Sequence, residues 1–436
     1  MQKHVGETAR RHLVARSILG ATVGNALEFY DFITYAFFAI QIGHAFFPAK
    51  NHYVSLMLAL MPFLAGFLTR PVGGIVIGAY SDRVGRRAAM MLSFTMMGTA
   101  IVALALIPPY AKIGIAAPIL AVAARMVQGF SLGGEVGPTT AYLMESAPAN
   151  RRGLAVSWQG ASQGIAATAA GLVGFVLAAQ MPPALLDAYG WRIAFLLGAV
   201  TVPFGLWIRK SLPETLHEPE QQAIGASKAE TGLGAVRENW RIITLSIVVL
   251  ASGTIATYIF DYIATFAQDT LHMAPLGAFA ATTLLNLAGV IVVLLGGSLS
   301  DRIGRRPVMI WPNVAFTVLI YPVFYWIVRS PGATSLIVGS VLLAAVSAIG
   351  TGAFYTALSE TLPKRIRGGA FATIYASSIA LFGGTTQPVI TWLLHVTQNP
   401  LSIAWYLLVA TAIGTVAMTM ILESAPARLV PVAVAA

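Results

Sequence analysis

Hardly any stretch of this chain is polar over a length that could face water. A helix needs about 20 apolar residues to cross roughly 30 Å of hydrocarbon. Scanning on that basis gives twelve candidate spans, at 18–47, 54–79, 89–108, 115–143, 153–180, 191–209, 242–268, 276–299, 307–328, 333–359, 368–394 and 402–422. Only 10% of the 436 residues are charged, where a soluble domain of this size has roughly 25%. With 57% hydrophobic residues and a mean hydropathy of +0.75, the composition fits lipid as the solvent. The expected fold is all-α and membrane-embedded.

The spans carry an internal echo. GAYSDRVGRR at 78–87 returns as GSLSDRIGRR at 297–306, and ESAPANRRG at 145–153 returns as ETLPKRIRG at 360–368. Both pairs have nearly the same offset, so the chain reads as two pseudo-symmetric bundles of six helices. The one long polar connection divides them into residues 1–209, a linker at 210–241, and residues 242–436. Two membrane-embedded halves with one plan are the mark of a secondary transporter, in which one half rocks against the other.

Lys and Arg are distributed unequally over the connections. One side collects 21 of them, including the N-terminus, the linker and the repeated turns; the other side has four (Lys50, Lys112, Arg192 and Arg329). By the positive-inside rule both termini are expected in the cytoplasm. The same asymmetry accounts for the net charge of +10 without a nucleic-acid partner. The basic N-terminus leads into about 30 apolar residues, longer than a signal-peptide core, and is read as a retained first span. With no cysteine, disulfides and thiolate chemistry are excluded. No phosphate loop or metal-ligand spacing occurs, so no cofactor, metal or ATP-driven step is expected, and no connection is long enough for an extramembrane enzyme domain.

The informative residues are charges kept inside the spans, each costing about 2.5–3.5 kcal/mol at the bilayer centre on insertion scales. They are Glu28, Asp31, Arg70, Arg125, Glu135 and Asp261. Glu28 and Asp31, three apart, share a helix face, and two close carboxylates favour a proton on one of them. These four acids are the proton-coupling candidates. A guanidinium offers a fixed fork matched to a carboxylate and stays charged, so Arg70 and Arg125 are the candidate anion contacts; an ion pair with an acid on another helix is the alternative. Tyr258 and Tyr262 flank Asp261 and are further candidate contacts.

The repeated turns are candidate gating elements: Asp82, Arg83, Arg86 and Arg87 with Glu145, and Asp301, Arg302, Arg305 and Arg306 with Glu360. Each Asp sits where a carboxylate can cap a neighbouring helix N-terminus while the arginines bind acids across the turn, latching that side closed. Small residues such as Gly129, Gly133, Gly137, Gly160 and Gly164 allow close helix approach. GFSLG at 129–133 and GASQG at 160–164 match the serine-hydrolase elbow only in letters, since both fall mid-span.

The basic turn in two copies resembles the signature of the major facilitator superfamily. Within it, GNALEFYDF, LTRPVGG, RMVQGFSLGGEVG, SWQGASQG and YGWRIAFLLG resemble the metabolite–proton symporters, which carry citrate, α-ketoglutarate, shikimate or proline and betaine. GAYSDRVGRR, SWQGASQG, NWRIIT and ALSETLP look most like the citrate–proton members. The resemblance implies a proton-coupled importer of an organic acid, active as a monomer in a bacterial inner membrane, with a small organic anion, protons and the bilayer as its partners. It places Arg70 and Arg125 at substrate-critical positions. Tyr30, Gln128, Gln159 and Gln163, inside the shared motifs, join the substrate-binding candidates. Asp261 departs from the citrate pattern, where that position is apolar, which leaves a dicarboxylate or another organic acid open. A zwitterionic osmolyte is the nearest rival substrate.

Overall fold

The computed structural model describes residues 22–211, 240–361 and 374–425, apart from 24, 28, 85, 134–139, 141–142 and 145–146. Side chains at 78–79, 81–83, 86–87, 90, 201, 204 and 207–211 also lie outside the description. Among the described residues there is no strand, and each expected span holds a helix. A lipid-exposed backbone has to satisfy its own N–H and C=O groups, and helices do so within the segment.

The first span, α1, is helical through 29–37 and, after a turn at Phe38, through Ala39–Phe46. It is followed by α2 (His52–Val84), α3 (Arg86–Leu106), α4 (Ala116–Leu132), α5 (Arg152–Gln180) and α6 (Trp191–Ser211). In the second half come α7 (Trp240–Thr265), α8 (Pro275–Ile303), α9 (Arg305–Arg329) and α10 (Ala333–Thr361). Then α11 passes from 374–378 through a π turn at Ile379–Gly383 into Gly384–Thr397, and α12 is Ser402–Thr419. Among the described residues, seven helices are long and apolar enough to cross a membrane. Large apolar side chains such as Ile75, Trp311 and Leu422 stay more than two-thirds exposed, as a lipid-facing surface requires.

Two features differ from the sequence expectation. The basic motif is less a turn than two helix ends: α2 continues to Val84 and α8 to Ile303, and in the second copy only Gly304, at φ +110°, breaks the path before α9 begins. A side chain is strained there, which is why the motif carries Gly. Single π turns, which periodicity did not reveal, lead into α6 at Leu186–Gly190, end α7 at Phe266–Thr270 and interrupt α11. Such bulges re-aim a helix and recur at functional sites.

Glycine sets two close helix contacts. Along α2 and α4, a Cβ on Gly73 would land on the Phe130 carbonyl, one on Gly129 on the Gly66 carbonyl, and one on Gly133 on the Arg70 carbonyl. The main seam between the halves is α5 against α8, where Gly164 meets Val290, Gly171 meets Thr283 and Gly174 meets the Phe279 ring. Without a hydrophobic effect between helices in lipid, close backbone approach is what associates them. Gly129→Ala is therefore expected to spread α2 from α4 and to cost about 1–3 kcal/mol or more, the usual price of overpacking; thermal unfolding in detergent, read against Gly289→Ala, where a Cβ meets nothing within 4 Å, measures it.

Candidate substrate and proton site

The candidate site forms where α1, α2 and α4 meet α7 and α11. Arg70 on α2 and Arg125 on α4 are both buried, at 4% and 0% exposure. Their guanidiniums share the ring of Phe32, at 4.3 and 4.7 Å from its centroid. Arg70 also stacks on Phe67 at 4.3 Å, and Arg125 on Tyr35 at 4.4 Å and more loosely on Phe63 at 5.7 Å. This cradle follows from the sequence: Phe32 and Tyr35 are three apart on α1, Phe63 and Phe67 four apart on α2, so each pair presents two rings on one face. Ring faces attract cations at a smaller desolvation cost than a carboxylate partner and leave the N–H edges free.

Those edges are largely unpartnered among the described residues. Arg125 donates from Nη1 to Gln128 Oε1 at 2.7 Å, while its Nε and Nη2 have no acceptor among the described residues. Arg70 touches the Tyr258 hydroxyl, and its Nε and Nη2 likewise have none among the described residues. Asp31 is fully buried within electrostatic reach of Arg125, yet neither of its oxygens accepts a hydrogen bond from any described residue. The permanent ion pair held open by the sequence is thus not made among the described residues. Buried polar groups are nearly always satisfied, and a buried charge left unpaired is worse. Two cations and one acid, enclosed together with donors and acceptors that no described residue meets, form an arrangement that can receive a carboxylate and a proton.

Other expected residues divide between this site and the packing around it. Gln159 donates to Asn25 Oδ1 at 3.3 Å and keeps its Oε1 free, and Asn25 donates to Ser162 Oγ at 2.6 Å. Gln163 reaches across the halves to Tyr375 Oη at 3.3 Å. Gln128 holds Arg125 and has a free Nε2. Tyr258 belongs to the site through Arg70. Two tyrosines do not. Tyr30 donates to the Ala194 carbonyl at 3.0 Å with its ring against Gly198, which ties α1 to α6. Tyr262 shares a 2.9 Å hydrogen bond with Thr391 and ties α7 to α11. Asp261 is 4% exposed, so it is not a wet residue at the membrane edge, and no described cation pairs with it. Glu28 and Glu135 lie outside the described residues. The polar residues missed were uncharged, namely Asn25, Tyr375, Ser378 and Gln387; an amide or hydroxyl inside an apolar run was their only signal.

At the end bearing the basic turns, the second copy is fully assembled. Asp301 accepts the backbone N–H of Gly153 at 2.8 Å and of Leu154 at 2.9 Å, capping the N-terminus of α5 from across the seam. Arg305, with 0% exposure, binds Asp301 at 2.7 Å and forks onto Glu360 at 3.2 and 3.3 Å. Arg306 donates to the Thr419 carbonyl, and Arg302 is exposed. The first-copy side chains Asp82, Arg83, Arg86 and Arg87, and residue Glu145, lie outside the description. Beyond the last span, Glu423 accepts the N–H groups of Arg305 and Arg306 at 2.8 and 3.0 Å and so caps α9. At the opposite end the halves are joined by His52–Asp269 at 2.7 Å, Gln41–Gln268 at 3.3 Å and the stacked rings of Tyr53 and His395. A cavity of about 380 Å³ opens there, lined by His44, His52, Asp187 and Asp269. Among the described residues, no cluster fits a metal.

With this geometry established, similarity to known proteins gives the class. The family profile of the Major Facilitator Superfamily matches residues 21–295. The chain is 35% identical over 428 residues to the citrate-proton symporter of Salmonella typhi, covering 97% of this chain and 96% of that one. It is 34% identical to the alpha-ketoglutarate permease of Escherichia coli K12, over 89% of this chain and 88% of that one. The proline/betaine transporter of the same bacterium is 30% identical, over 94% and 84%. Among solved structures, a D-xylose-proton symporter superposes with a TM-score of 0.75 at 18% identity, over 94% and 98% of the two chains, which speaks for the fold. This chain belongs to the major facilitator superfamily and is a multi-pass membrane protein.

The Glu423 cap carries a pH dependence. Burial alone would raise its carboxyl, but the N–H groups of Ala425, Arg305, Arg306 and Ser424 outweigh that and hold it below its usual 4.5. A depressed carboxyl stabilises the fold above its unfolded value, and that contribution is lost as pH falls through the folded value. Glu423→Gln is therefore expected to lower the melting temperature at neutral pH, with the gap to the unsubstituted protein closing on acidification. A pH series of thermal melts checks it.

Proposed function

We propose that this protein is a proton-coupled symporter that imports an organic acid, citrate or a related di- or tricarboxylate, by alternating access. The observation that carries the reading is the pair of guanidiniums on Phe32 with free N–H edges, next to an Asp31 that no described residue binds. Arg70 and Arg125 hold carboxylates. Asp31, with Glu28 and Glu135, supplies the proton, and Asp261 is a second titrating group in the other half. Gln128, Gln159 and Gln163 orient the bound acid. The ring faces that would cradle a quaternary ammonium are stacked by the two arginines, which favours an anion over a zwitterionic osmolyte. The similarity to a citrate-proton symporter over nearly the whole chain supports the same substrate class.

In this reading residues 1–209 and 242–436 are the moving halves and 210–241 the linker between them. The protein works as a monomer in a bacterial inner membrane with both termini in the cytoplasm. The basic turns, through Asp301, Arg305 and Glu360 and their counterparts Asp82, Arg83, Arg86, Arg87 and Glu145, latch the cytoplasmic side; Arg302 and Arg306 flank the latch.

A proton is needed for electrical reasons. With the inside negative, moving one charge across the membrane is worth about 2.3 kcal/mol per 100 mV, so importing a polyanion requires protons to offset its charge. In proteoliposomes, acidifying the outside should accelerate citrate uptake, and collapsing the proton gradient should end accumulation. Uptake indifferent to the gradient would overturn symport. Arg125→Ala and Arg125→Lys should each weaken citrate transport by roughly 30-fold or more, since neither restores the fork. Asp31→Asn should retain citrate exchange while losing gradient-driven accumulation; radiolabelled uptake and counterflow measured on the same liposomes separate the two.

A further inference from the structure

The first half supplies positive charge to the site, which leaves open what the second half contributes. Gln387 on α11 has 0% exposure, and neither its Nε2 nor its Oε1 has a hydrogen-bond partner among the described residues. A primary amide offers two donors and an acceptor, and enclosing both ends unbonded is a costly state for a side chain whose own backbone is satisfied. The Gln387 carbonyl already accepts the Thr391 hydroxyl at 2.9 Å. The unmet need is confined to the amide.

Its position follows from its neighbours. Gly383 lies against the Tyr258 ring and Phe67, Gly384 against Leu64 and Phe67, and Thr391 bonds Tyr262. Gln387 falls between these contacts, three residues after Gly384 and four before Thr391, so it shares the face that α11 turns to α2 and α7. Tyr258 is in contact with Arg70. The amide therefore stands about one helical turn, some 5.4 Å along α11, from the glycines that touch Tyr258 and Phe67, the two rings against Arg70. On α7, Asp261 lies between the same two contacts, three residues after Tyr258.

We infer that Gln387 is the second half's contact for the transported acid and receives a neutral group that both donates and accepts a hydrogen bond, a protonated carboxyl or a hydroxyl. The pairing is complementary: the O–H donates to Oε1 while the group's second lone pair, or its carbonyl, accepts from Nε2. Asp261 reinforces the selection, because an ionised carboxylate brought to that level would meet a like charge while a neutral group would not. The bound molecule is thus polarised, with its charged carboxylates on Arg70 and Arg125 and its neutral end on Gln387. This rests on the organic-acid reading above.

The test is citrate binding, by calorimetry, to the purified full-length protein and to Gln387→Leu and Gln387→Glu, alongside tricarballylate, which is citrate without its hydroxyl. Gln387→Leu should weaken citrate roughly tenfold, the effect of losing about one net hydrogen bond. If the neutral group is the hydroxyl, the unsubstituted protein prefers citrate to tricarballylate and Gln387→Leu loses that preference. If it is a protonated carboxyl, the two acids bind alike, affinity falls as pH rises through the substrate's carboxyl range, and Gln387→Leu flattens that slope. Gln387→Glu, nearly isosteric, keeps the question measurable should the leucine variant not insert. Citrate affinity within twofold of the unsubstituted protein in the variants that fold would overturn the inference. Absence of binding by any organic acid to the unsubstituted protein would instead overturn the reading of function.

Discussion

The structure turns on two guanidiniums buried at lipid depth with no direct ion pair to a carboxylate of any described residue. Such charges are expensive in any medium of low polarisability, and an isolated one would shift or drag water in. Here the cost is met in part by aromatic faces: Phe32 serves both arginines, and Phe67, Tyr35 and Phe63 complete the cradle. Rings stabilise the cation without using up its hydrogen-bond donors. A site built on carboxylate partners would be more stable and would have nothing left with which to hold an anion.

That choice orders the rest of the molecule. Enclosing the arginines requires contact between the halves at both ends. The contacts differ in kind. At the basic end the seam is held by charge-assisted bonds from the N-terminus of α5 to Asp301, at 2.8 and 2.9 Å, with Asp301 itself braced inside the second half by the buried Arg305. At the opposite end it rests on a histidine–aspartate pair with a half-exposed imidazole, a pair of amides and a ring stack. Exposed pairs contribute little and are screened by salt, whereas buried networks resist opening. The two ends thus differ in how readily they separate.

The fold was legible because lipid imposes so strong a rule on composition. Apolar runs separated by basic connections place every helix, and the repeated motif locates the Asp301–Arg305–Glu360 cluster before any coordinate is known. In-span charge likewise pointed to Arg70, Arg125 and Asp31. Uncharged polar residues were harder to rank, because a tyrosine or amide in a helix can as easily brace a neighbour as meet a ligand. Tyr30 and Tyr262 brace; Tyr258 does not, and only packing distinguishes them. Gln387 was passed over since a neutral amide leaves no mark on a charge count. The π turns were invisible for a related reason: one extra residue in a turn alters direction while leaving hydropathy unchanged.

The interlocked glycines of α2 and α4 have a mechanical corollary. With Gly129 and Gly133 packed directly on the carbonyls of Gly66 and Arg70, the two helices carrying the arginines meet backbone to backbone. In the proposed function, Arg70 and Arg125 then act as a clamp of constant span, so discharge comes from the second half withdrawing or from a change in the local charge balance. On that reading substrate length is gauged against one rigid jaw.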